Sequence, residues 1–178
     1  MRVGLLIAGS LVALVCTAEI HNCACEAAKP ETLELRECSL DRAVRDDAAG
    51  APYLFLKDVN PTKPNRIVAL PRTNVVRLAD MTPEQRAAFW QVCIAKAVAL
   101  WGDDWGVAMN GEKARTQCHL HVHIGKLRPD AEQEGGVAVD GPEDIPLPDA
   151  AAGLWVHRVA GKLHVHAGQQ INETVLIR

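Results

Sequence analysis

Apolar residues recur along this chain with two different periods, and the switches between them mark out its elements. Over residues 31–47 charged and apolar positions alternate at helical spacing, and the turn-prone Ala49-Gly50-Ala51-Pro52 ends the run, predicting an amphipathic helix. Tyr53-Leu54-Phe55-Leu56-Lys57 reads as a strand, and Arg66 to Leu70, closed by Pro71, as a second one. Pro61 and Pro64 lie between them in a turn, so the two strands form an antiparallel hairpin. At Thr82-Pro83-Glu84-Gln85 a helix begins: Thr82 caps, Pro83 takes the first helical position and Gln85 completes a capping box. Phe89, Val92, Cys93, Ala97, Leu100 and Trp101 follow at helical spacing up to Gly102, which predicts a core-facing helix with no site of its own. Gly106 to Met109 is a short strand, and Asn110 to Arg115 a polar loop.

From Gln117 to Ile124 the period becomes two. His119, His121 and His123 share one face of the predicted strand, and Cys118, Leu120, Val122 and Ile124 the other. The apolar row anchors the strand in a core, while the imidazoles stand about 6–7 Å apart on the outer face. Imidazole titrates near neutrality, so such a row can serve as nucleophile, acid and base. Residues 128–153 are rich in Pro, Gly and acids and predict a loop or lid. Residues 155–157 and 163–167 read as a hairpin around Ala160-Gly161-Lys162, with His157, His164 and His166 as a second cluster expected to play a surface or sheet-edge role.

Composition narrows the reading. A chain of 178 residues, 48% hydrophobic and 23% charged with net charge −3, suits one soluble domain with a real core. There is no strongly basic surface, and aromatics make up only 4%, which excludes wholesale nucleic-acid binding and base-stacking platforms. The N-terminus differs from the rest: Arg2, an apolar run from Val3 to Val15, then Cys16-Thr17-Ala18. That pattern predicts a signal peptide over residues 1–18, cut after Ala18, because the apolar run falls short of the roughly 20 residues of a membrane span. An uncleaved anchor is the alternative, and residues 19–178 form the domain. Five cysteines then remain in a disulfide-permissive compartment. Cys23 or Cys25 is expected to pair with Cys38, whereas Cys93 and Cys118, on apolar faces, read as inert core thiols. A zinc site of His21, Cys23 and Cys25 is disfavoured by its one-residue cysteine gap.

Two chemistries suit the histidine row: metal binding, and nucleophilic phosphoryl or nucleotidyl transfer. Geometry favours the second, because successive same-face side chains on one strand diverge too far to converge on an ion about 2 Å from each. The upstream loop also suits phosphate, with Lys113, Arg115 and Thr116 beside the row.

His119-Leu120-His121-Val122-His123-Ile124 resembles the histidine-triad signature, and Leu56 to Pro71, with Asp58, Pro61, Pro64 and Pro71, is similar to that family's first hairpin. The resemblance covers roughly residues 53–128. It implies an α+β, HIT-like fold, an antiparallel β-sheet with a long helix packed on it, and hydrolysis or transfer of nucleoside monophosphates through a nucleotidyl-histidine. It implies His121 as nucleophile, His123 as assistant to the leaving group, His119 as the supporting first member and Asp58 as acceptor for ribose hydroxyls. Asn110 and Thr116 are placed near the phosphates, and with Lys113, Arg115 and Gln117 they complete the expected substrate-binding set. Most of the family has a histidine where this chain has Arg66, and often another at Asn74. One branch lacks both, the exported or membrane-anchored CDP-diacylglycerol pyrophosphatases. The chain is similar to it in Arg115-Thr116-Gln117-Cys118-His119, Arg128-Pro129-Asp130 and Leu147-Pro148.

That likeness implies an exported, periplasmic or membrane-associated hydrolase needing no metal or cofactor. Its substrate would be a nucleotide-containing small molecule or lipid, most specifically CDP-diacylglycerol, with no nucleic-acid partner; peripheral membrane contact and a homodimer stay open. Two alternatives accompany this reading: a metal-binding protein or metalloenzyme using two triad histidines with His164 or His166, and a nucleotide-binding module without catalysis. Paired imidazole roles imply a bell-shaped pH dependence.

Overall fold

The computed structural model describes residues 23–131, 135–149 and 151–178, so the expected leader and His21 lie outside the described residues. Seven antiparallel strands form one sheet in the order β1-β2-β4-β3-β6-β7-β5. They are β1 Tyr53–Lys57, β2 Ile67–Pro71, β3 Trp105–Met109, β4 Val122–Lys126, β5 Val137–Val139, β6 Leu154–Val159 and β7 Lys162–Ala167. The helices are α1 Pro30–Leu33, α2 Ser39–Asp46 and α3 Pro83–Trp101. This is the α+β architecture expected of the HIT-like resemblance.

The 19-residue α3 starts as its sequence dictates, with the Thr82 hydroxyl accepting from Gln85 N–H and Gln85 Oε1 accepting from Thr82 N–H. Phe89, Trp90, Cys93, Ile94 and Ala97 line its buried side. They pack on Val107, Val122, Ile124, Leu154, Val156 and Val165, one face of the sheet. Burial of each large apolar side chain there contributes about 1.5–3 kcal/mol.

The register decides what the other face carries. Val68 pairs with His123, His123 with Ala108, Ala108 with Trp155 and Trp155 with His166. These five residues therefore form one row across the sheet, on the face turned away from α3.

Several elements depart from the sequence reading. The helix expected over residues 31–47 is broken into α1, a 3-10 turn at Arg36–Cys38 and α2, and Cys38 at the break is bonded to Cys25. The histidine strand is shorter than its alternation suggests: the ladder begins at Val122, after two of the three histidines. Upstream of Val122, Cys118 N–H donates to Glu37 O and Leu120 N–H to Val75 O, so this backbone bonds to the 3-10 turn and a loop instead of a neighbouring strand. Cys118 is not a core thiol, because it forms a disulfide with Cys23; among the described residues the free cysteine is the buried Cys93. Within residues 128–153, β5 extends the sheet along β7 and Ile145 is buried against the α3 core, so much of the segment is built into the fold. No helix among the described residues is long and apolar enough to cross a membrane.

Candidate functional site

A cleft of about 440 Å³ opens where the end of β1, the turn after it, the N-terminus of α2 and the start of β4 meet. Asp58, Asn110, Arg115, Thr116, Gln117, His121 and His123 line it, so seven of the nine expected site residues share one cavity. His119 lies behind the wall, 1% exposed. Lys113 sits exposed on the 3-10 turn Glu112–Ala114 and does not line the cleft.

The histidines are not an outward row in water. His121 and His123 are 6% and 8% exposed, with ring centroids 5.3 Å apart and planes nearly perpendicular. His121 Nδ1 lies 2.9 Å from the His119 carbonyl oxygen. A carbonyl only accepts, so Nδ1 carries the hydrogen and the Nε2 lone pair is left free of that bond. His119 is fixed at both nitrogens, Nδ1 3.0 Å from Asp41 Oδ1 and Nε2 2.7 Å from Pro71 O. His123 Nδ1 faces two carboxylates at longer range, Glu173 at 3.7 Å and Asp58 at 3.9 Å.

No protein-family model matches the chain. An uncharacterized HIT-like protein of Synechocystis sp. is 35% identical over 82 residues, covering 43% of this chain and 72% of the relative. The chain belongs to the HIT-like family.

In this HIT-like site, electrostatics favour neutral imidazoles. Burial, then the neighbouring His123, Arg115 and His119, push the His121 pKa down to about 3, against the upward pull of the His119 carbonyl. Burial likewise lowers His123, opposed by Glu173 and Asp58. Arg115 is 4% exposed; its NH1 donates to Val76 O, while its Nε has no partner among the described residues. Burial brings this guanidinium down to about 10, still charged at neutral pH. A buried cation with an unpaired donor costs stability, and an anion in the cleft would relieve that cost.

Other expected residues also have partners within the protein. Asn110 Oδ1 accepts from the backbone N–H groups of Asn172 and Glu173, and Asn172 Nδ2 donates to Met109 O. Asn110 thereby seats the turn that brings Glu173 to His123. Gly153 is required beside this turn, because a Cβ there would overlap Met109 O and Asn172 Nδ2. Gln117 Oε1 accepts from Ser39 Oγ and Leu40 N–H, tying the cleft wall to α2. Asp58 Oδ1 accepts from Asn60 N–H, an Asx turn that leaves Oδ2 directed at His123.

Glu173, Lys63, Ser39 and Leu40 also line the cleft and were not legible beforehand. Glu173 lies in a C-terminal tail without periodicity, and Lys63 read only as part of a turn. Burial raises the Glu173 carboxyl, but His123, Lys63 and Arg66 outweigh it and bring its pKa down to about 2. Arg66, standing where most of the family has histidine, is 2% exposed and donates to Glu173, Leu176 O and Ile177 O. It braces the tail from beneath the sheet edge.

The donor set suits a three-histidine metal centre poorly. Both His119 nitrogens and His121 Nδ1 are committed to carbonyls and a carboxylate, leaving one triad nitrogen on His121 beside His123. His164 and His166 sit on β7, separated from β4 by β3 and β6, so they cannot complete such a centre. Among the described residues the metal-type donors that do cluster are Cys25, Cys38 and Asp41, and both cysteines are spent in a disulfide.

Proposed function

We propose that this protein is a hydrolase of nucleoside diphosphate esters, releasing a nucleoside monophosphate through a nucleotidyl-histidine on His121. One observation carries the reading: an imidazole held as its Nδ1–H form in a cleft shared with a buried guanidinium whose Nε is unpaired. An imidazole with a free lone pair and a buried guanidinium lining one cavity suit attack on a phosphorus. The cavity volume lies in the range of small-molecule sites, about 300–1,000 Å³.

In the first step His121 Nε2 bonds to the phosphorus bearing the nucleoside, and the bond from that phosphorus to the bridging oxygen breaks. The leaving oxygen departs with the electron pair and takes a proton from protonated His123, a form that Glu173 and Asp58 support before the transfer and that becomes neutral after it. In the second step water gives a proton to the now neutral His123 and attacks the same phosphorus, the N–P bond breaks and His121 regains its lone pair. Arg115 and Thr116 hold the non-bridging oxygens, and Asp58 and Gln117 stand at the nucleoside side. Lys113, exposed outside the cleft, is reserved for an extended substrate. His119 supports His121 from behind.

CDP-diacylglycerol, cleaved to CMP and phosphatidate, is the substrate we favour, on the likeness of residues 115–119, 128–130 and 147–148 to the branch that cleaves it. Export fits the same reading, since two disulfides persist best in an oxidising compartment. The test is a panel of CDP and ADP conjugates, CDP-diacylglycerol in mixed micelles among them, with the released nucleotide identified. CMP release that disappears in His121→Ala supports the proposal. Unchanged turnover in that variant defeats the mechanism, and nucleotide binding without product would leave a binding module.

A further inference from the structure

We propose that Asp41 is a positioning residue for His121, acting through His119; this rests on the reading of His121 as nucleophile. The link is continuous. Asp41 Oδ1 meets His119 Nδ1 at 3.0 Å, His119 Nε2 meets Pro71 O at 2.7 Å, and the His119 carbonyl holds His121 Nδ1 at 2.9 Å. The Asp41–His119 contact locks the ring between two acceptors, and a locked ring fixes the backbone of a residue whose carbonyl selects the His121 tautomer.

Asp41 is itself 9% exposed, and its Oδ2 has no hydrogen-bond partner among the described residues. A half-satisfied buried carboxylate is a poor choice for packing alone, and an apolar residue would fill that place at less cost.

The element carrying Asp41 is strapped to the triad segment with unusual density. Cys118, the residue before His119, is bonded to Cys23, and its N–H donates to Glu37 O at 2.8 Å. Gln117 Oε1 accepts from Ser39 Oγ at 2.9 Å and from Leu40 N–H at 3.2 Å. The Cys25–Cys38 disulfide pins the start of α2. The N-terminal segment thus acts as a clamp that delivers one carboxylate to the back of the catalytic segment.

The experiment uses the full, disulfide-bonded chain, with Asp41→Asn removing the charge and Asp41→Ala removing the contact. Three quantities are read: kcat and KM for nucleotide release, CMP affinity by calorimetry, and the ring ¹⁵N signals of His121. The expected fall in kcat is about 10-fold for Asn and about 100-fold for Ala, with KM and CMP affinity within about two-fold. The His121 ring should shift from the pure Nδ1–H form to a mixture of tautomers. A folded variant with unchanged kcat, a fall in kcat without a tautomer change, or a loss confined to KM would each overturn the proposal. Should neither variant fold, the parent spectrum decides: His121 must carry its hydrogen on Nδ1 and His119 Nδ1 must be engaged in a hydrogen bond with Asp41, and a His121 hydrogen on Nε2 or a His119 Nδ1 free of that bond sinks the idea. If the parent releases no nucleotide, the nucleophile reading fails by itself, while the ring signals still report on Asp41.

Discussion

Two histidine clusters stand on the same sheet, and they have opposite surroundings. The triad side carries His121, held by a backbone carbonyl and opening on a cleft with Arg115, Lys63 and Glu173. The second cluster carries His157 and His166, whose Nε2 atoms meet each other at 3.0 Å, with Trp155 stacked on His166 at a centroid distance of 3.9 Å. His157 and His166 are buried, 1% and 9% exposed, so of the surface or sheet-edge role expected of them the surface part gives way to packing on the face away from α3. Imidazole bonded to imidazole under an indole spends its lone pair internally. Alternating histidines therefore do not define a site; the partner of each ring nitrogen does.

Deleting one ring from each cluster separates the two most strongly. His121→Ala should lower kcat/KM by at least about 10⁴-fold, as loss of a nucleophile does. His157→Ala should leave kcat/KM within about two-fold in steady-state assays while lowering the melting temperature, a cavity effect. Comparable losses from both would erase the distinction. Arg115→Ala comes next, with an expected fall of about 10²–10³-fold in kcat/KM, partly restored by Arg115→Lys. Glu173→Gln should cost about 10-fold in kcat, because His123 would lose the nearer of its two carboxylates.

Acidification separates the clusters by mechanism. His121 must be unprotonated to attack, and its pKa near 3 keeps it so, which moves the acid limb of kcat/KM below pH 5. The bell expected from two ordinary imidazoles would have its acid limb near 6.5, and an activity profile from pH 4 to 9 distinguishes the two. Stability behaves differently. Burial first, then His166 and His164, lower His157 to about 4, so the unfolded chain takes up a proton below pH 6.5 before the native state does. Stability should fall as pH drops from 6.5 toward 4, visible as a declining melting temperature. His157→Gln should reduce that slope, the smallest effect of the set.

The legible parts of the fold are those with local causes. The capping box at Thr82, the hairpin around Pro61 and Pro64, and the core row on β4 depend on residues near each other in the chain, and each was readable; on α3 the expected row holds at Phe89, Cys93 and Ala97 but misses Trp90 and Ile94, and Leu100 is exposed. The triad was legible as a pattern for the same reason. What stayed hidden came from distance. Cys118 looked like a core thiol because its partner lies 95 residues away. Glu173 carries no periodic signal and reaches His123 only because Asn110 and Arg66 hold the tail in place.

The chain's order of residues alone determined that three imidazoles would arrive together, since backbone spacing and side-chain period act over a few bonds. Which of them keeps a usable lone pair was decided by the folded molecule. That choice depends on the carbonyl of His119, the carboxylate of Asp41 and the oxygen of Pro71, groups that meet only once the sheet and the disulfide clamp have closed around them.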